Sequence, residues 1–134
     1  MDTQQQLRLV ALVATGGAIG SVLRYGVSGA LSRTDFPWGT FAVNFTGTFL
    51  LALLFFLSLE RGLFSPELRA LLFVGVFGGY TTFSTFGLET VTLLRGGETL
   101  LGAFNILLNG GICLGAAFLG AGVGLLLAGG QTWS

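Results

Sequence analysis

The chain has 134 residues, 52% of them hydrophobic and 9% charged, with formal net charge zero and a mean hydropathy of +0.84. A soluble domain carries about a quarter charged residues to coat its surface, so this composition points to lipid as the solvent. There is no histidine and no lysine, which removes His-ligated metals, His general bases and electrostatic binding of nucleic acid.

Crossing a bilayer takes about 20 predominantly apolar residues, and four stretches qualify: residues 7–31, 38–59, 66–94 and 99–128. They form a single all-α transmembrane domain spanning residues 1–134. The first is too long for a cleavable signal peptide, and Arg24 interrupts its far end. Short connections follow at 32–37, 60–65 and 95–98, and Ser65 before Pro66 has the form of an N-cap followed by a first-turn proline. Trp38 and Trp133 fall near the ends of spans, where amphipathic rings settle. The 23 glycines are unfavourable in soluble helices but let helix backbones meet in lipid. The pairs Gly16/Gly20, Gly75/Gly79, Gly111/Gly115 and Gly120/Gly124 have the small-xxx-small spacing and read as packing positions. Cys113 is the only cysteine, so no disulfide forms within the chain.

With the first and last residues on one side of the membrane, that side carries Arg8, Arg61 and Arg69, and the other Arg24, Arg33 and Arg95. Three against three gives the positive-inside rule no purchase, and such a chain can insert in both orientations and pair antiparallel. Four helices make a thin bundle without an internal repeat, so a fully lined pore calls for a second copy.

Polar groups inside a bilayer need a partner or a task. Thr40, Asn44 and Thr48 recur every fourth residue in the second span, and Asn105, Asn109 and Cys113 do so in the fourth. In the third, Thr81, Thr85 and Glu89 are spaced to align, with Thr92 continuing the face. One such row reads as glue between helices; three read as a pathway. Amide and hydroxyl donors can hold an anion without a fixed charge that would trap it. Arg24 is placed to snorkel to the interface or to draw anions into a vestibule. Glu89 needs either a proton or hydrogen-bonding neighbours. At Gly78 and Gly79, followed by Thr81, Thr82 and Ser84, the third helix is weakest, because glycine and hydroxyl side chains compete with helical hydrogen bonding. A break there frees carbonyls, hard ligands for an alkali cation. Phe83 and Phe86 share a face, and phenyl edges are weakly positive, although packing is the commoner use.

The string GGYTTFSTFGLET at residues 78–90 resembles the third-helix signature of the small fluoride channels, the Fluc or CrcB family. GAIGSVLRY at 17–25 and WGTFAVNFTG at 38–47 agree with it. The resemblance covers essentially the whole chain, with matching order and length. It implies an antiparallel dual-topology homodimer in the bacterial inner membrane, with two pores that passively export cytoplasmic fluoride and so confer fluoride resistance. It also implies a third helix broken mid-membrane and a central structural sodium ion on main-chain carbonyls, here of Gly78 and Thr81. Asn44, Phe83, Phe86, Ser84, Thr85, Glu89 and Arg24 match the residues of the fluoride path. In the fourth helix, where many members have a tyrosine and then a serine, this chain has Asn105 and Asn109, both still hydrogen-bond donors. A four-helix multidrug exporter, the main alternative, needs a membrane-embedded acid in its first helix, and none follows Asp2 there. A non-transporting scaffold leaves the donor rows unexplained, and no nucleophile–base pair or metal cluster supports an enzyme.

Overall fold

The computed structural model describes residues 2–32 and 35–129, and these are helical throughout apart from short connections, with no strand among them. Helix α1 runs Thr3–Leu31 and α2 Trp38–Arg61. A third span comprises α3, residues 66–80, and α4, Phe83–Arg95, and the fourth is α5, Thr99–Ala128. Four spans are thus long and apolar enough to cross a membrane, and only 11% to 33% of their apolar windows is buried within the chain. Most of that surface is left for lipid or for another protein. Arg33 and Trp133 lie outside the described residues.

Helix α1 starts four residues before the expected boundary. Asp2 explains this: its side chain accepts from the Gln5 backbone N–H at 2.7 Å and caps a polar first turn that hydropathy does not register. Helix α2 ends at Gly62, which is left-handed at φ 60°. Ser65 does cap α3, accepting from Leu68 N–H at 3.2 Å. Within α3 and α5 the hydrogen bonding widens to π type over Ala70–Phe77 and Leu107–Ile112.

Glycine sets the helix crossings. A methyl group at Gly16 would strike the Leu71 carbonyl and one at Gly20 the Val76 carbonyl, so α1 and α3 touch backbone to backbone. Gly75 and Gly79 complete this contact from the other side, and Gly120 and Gly124 seat α5 in the same way on the Phe49 and Leu53 carbonyls of α2. Gly111 and Gly115 depart from the expectation: they are exposed and touch no other helix of the chain. Their spacing gives a smooth face but no facing backbone within the chain.

At the charged end, Arg8 lies 3.8 Å from Glu67. Arg61 donates to the carbonyls of Leu127 and Ala128 at 2.8 and 3.0 Å, placing a cation at the carbonyl end of α5. Arg69 sits 5.4 Å from the Phe55 ring centroid. Trp38, at the start of α2, packs in an aromatic group with Phe36 and Phe104.

Candidate functional site

Two residues interrupt the third span. Thr81 (φ −77°, ψ 155°) and Thr82 (φ −149°, ψ 114°) are extended, with helix on both sides. The local chemistry accounts for it: Thr81 Oγ1 donates to the Phe77 carbonyl at 2.9 Å, and Thr82 Oγ1 accepts from the Thr85 backbone N–H at 3.2 Å, an N-cap that starts α4 afresh. This overturns one expectation. Thr81 is not in helical register with Thr85 and Glu89, because the extended pair resets the rotation between the two helices.

Extended backbone exposes groups a helix would have satisfied, and α2 satisfies them from the side. The Asn44 amide donates to Thr82 O at 3.0 Å, while its Oδ1 accepts from Thr82 N–H at 2.8 Å. This reciprocal pair fixes which end of the Asn44 amide is nitrogen, since a backbone N–H can only donate and a carbonyl only accept. The remaining Asn44 proton goes to Asn109 Oδ1 at 2.8 Å. Asn109 Nδ2 in turn donates to Asn105 Oδ1 at 2.9 Å and to Asn105 O at 3.3 Å. Asn105, fully buried, donates to Thr90 Oγ1 at 2.9 Å, and Thr90 donates to the Phe86 carbonyl at 2.8 Å. One network therefore links α2, α4 and α5.

Cavities open on both sides of Thr82. One, of ≈ 200 Å³, is lined by Asn44, Thr48, Phe83, Phe86, Asn109 and Cys113 among others. The Phe83 and Phe86 rings lie 5.4 Å apart, edge to face. The second, of ≈ 360 Å³, is lined by Arg24, Ser28, Thr40, Thr85 and Glu89, again with Thr82 in its wall. Glu89 and Ser32 continue into a third cavity of ≈ 350 Å³ near Asp35. Thr40 donates to Glu89 Oε1 at 2.7 Å, while Glu89 Oε2 is buried without a hydrogen-bond partner among the described residues.

The structure thus gathers Asn44, Asn109, Phe83 and Phe86 on one side of Thr82 and Arg24, Thr85 and Glu89 on the other. Ser84 Oγ lies 3.3 Å from Thr82 Oγ1. Asn105 lines neither of these two cavities and supports Asn109 from behind. Arg24 does not reach for the helix end; it turns inward, its Nη1 3.4 Å from the Thr81 carbonyl that the extended backbone leaves free. In sequence Thr40 was legible as part of a polar row, whereas Thr82 was legible only as a residue that weakens the helix and not as a wall of both cavities. A threonine three residues before Thr85 at a helix restart is an N-cap signal that could have marked Thr82.

Residues 11–121 match the sequence model of the family described as CrcB-like protein, Camphor Resistance (CrcB). The chain is 46% identical over 122 residues to a "Fluoride-specific ion channel FluC" of Magnetococcus marinus, covering 88% of this chain and 98% of that one. It is 49% identical over 118 residues to a protein of the same name from Agrobacterium fabrum, covering 86% and 94%. A third of that name, from Thermus thermophilus, is 51% identical over 125 residues, covering 88% and 96%.

Proposed function

Since the chain belongs to the CrcB family, whose relatives above are named as fluoride-specific channels and not as enzymes, we propose that it is a fluoride-selective channel. In this reading it passively exports fluoride from the cytoplasm across the bacterial inner membrane, conferring fluoride resistance. The observation that carries it is the row of uncharged donors at the helix interruption, with a cavity on each side of Thr82. Fluoride is small and strongly hydrated, so a path that strips its water must replace it with close donors, each weak enough to let go. Amides, hydroxyls and phenyl edges meet that need. An inside-negative potential then drives the anion outward.

The polar path is Asn44, Phe83, Phe86, Ser84, Thr85, Glu89, Asn105 and Asn109, with Arg24 near one end. The interruption at Thr81 and Thr82 is the mid-membrane break of the third helix. Backbone at that depth is tolerated only where protein or an ion satisfies it, and Asn44 supplies that partner here.

The functional unit is an antiparallel dual-topology homodimer with two pores. The balanced arginines and the large exposed apolar area support this. A sodium ion at its centre would be held by the carbonyls of Gly78 and Thr81. Extended Thr81 presents an oxygen whose hydrogen bond is the long one from Arg24, and a neutral oxygen of this kind suits an alkali ion. One chain offers too few such ligands, so a second copy completes the set. When bound, the ion supplies positive charge and rigidity where helical hydrogen bonding is interrupted.

The test is efflux from liposomes carrying the purified protein, with fluoride and chloride followed in parallel. Fluoride release without chloride release supports the channel; no fluoride release from folded protein, or equal release of both halides, overturns it.

A further inference from the structure

Both protons of Asn44 Nδ2 are already engaged, one by Thr82 O and one by Asn109 Oδ1. The bonds from Asn109 Nδ2 both run to Asn105, away from Asn44. The amide orientations follow from the backbone: Thr82 fixes Asn44, Asn44 requires an oxygen from Asn109, and Asn109 then turns its nitrogen toward Asn105. The two asparagine amides that border the 200 Å³ cavity therefore have no proton to spare for an anion. An anion can reach Asn44 only by displacing an acceptor. Thr82 O is main chain and locked by the reciprocal bond from Thr82 N–H. Asn109 Oδ1 is on a half-buried side chain with rotatable bonds, and one of its two anchoring contacts is long, at 3.3 Å.

We propose that the Asn109 carboxamide is a stand-in for the transported anion. Its Oδ1 occupies the place at Asn44 Nδ2 that fluoride takes, and the side chain turns aside for the ion to bind. Asn109 is then an internal competitor that sets how much fluoride half-fills the path, and Asn105 holds it in the competing position. This inference rests on the fluoride-channel reading.

The experiment is single-channel current against fluoride concentration in planar bilayers, for the unsubstituted chain and for Asn109→Ala. Removing the competitor should lower the half-saturating fluoride concentration about fivefold, the factor one net hydrogen bond supplies. A maximal current reduced more than tenfold would make Asn109 an obligatory donor and overturn the proposal. So would an unchanged half-saturation. If Asn109→Ala does not run as a folded species on size exclusion, Asn109→Ser, which keeps a short hydroxyl, is read by the same criteria. Absence of fluoride current in the unsubstituted chain is a different failure: it removes the channel reading itself, and this inference with it.

Discussion

Where α1 meets α3, and where α2 meets the second half of α5, backbone lies on backbone with glycine at the crossing. Where α2 meets α4 and the first half of α5, the contact runs through asparagine and threonine side chains. Lipid gives helices no hydrophobic reason to associate, so close packing and hydrogen bonding have to supply it. The two regions divide those means between them. Glycine brings helices together without presenting any donor, and its contacts are all-or-none, because a carbonyl cannot step aside. Asparagine joins helices with directional bonds whose acceptors can be exchanged, which is what a transient ligand requires.

The comparison breaks most sharply at Gly20. Gly20→Leu drives a side chain into the Val76 carbonyl and the start of residue 80, against backbone that cannot yield. Overpacking of this kind destabilises by about 3 kcal/mol, and the yield of monodisperse protein should collapse. Gly115→Leu, at a glycine of the same spacing in open space, should leave that yield unchanged. The polar region gives the next effect. Asn44→Ala strands both the N–H and the carbonyl of Thr82, for about 1–3 kcal/mol. Fluoride efflux should fall by at least about tenfold, the factor that 1.4 kcal/mol represents, while folded protein can still be recovered. Thr40→Val should do less. It removes the one hydrogen bond that the Glu89 carboxylate receives among the described residues and should slow efflux severalfold with little change in thermal stability. Smallest is Arg61→Ala, which frees two carbonyls at the end of α5 that water can reach. It should lower stability by about 0.5–1 kcal/mol and leave efflux as it was.

Much of the glycine region was legible in sequence only as spacing. Gly16, Gly20, Gly120 and Gly124 and the pair Gly111/Gly115 look alike on a helical wheel, and only the facing helix distinguishes them. The spans themselves were readable because length and hydropathy are local properties, and Ser65 because a cap is local too. The start of α1 was missed because a glutamine run is polar yet helix-competent once Asp2 caps it. In the polar region, residue types at fourfold spacing marked Asn44, Asn105 and Asn109. Their bond directions depend on the Thr82 backbone, 38 residues from Asn44 in sequence, and no spacing within one helix carries that. Thr81 shows the limit most clearly: counting in fours across an interruption places it on a face it does not share.

The central claim is that the polar region conducts and the glycine region only holds it in place. The most direct test is fluoride-electrode recording of efflux from proteoliposomes, with the unsubstituted chain beside Asn44→Ala and Gly115→Ala. The account predicts rapid fluoride release without chloride release from the first, a collapse in Asn44→Ala, and no change in Gly115→Ala. Chloride release matching that of fluoride, or an Asn44→Ala protein as fast as the parent, would contradict it.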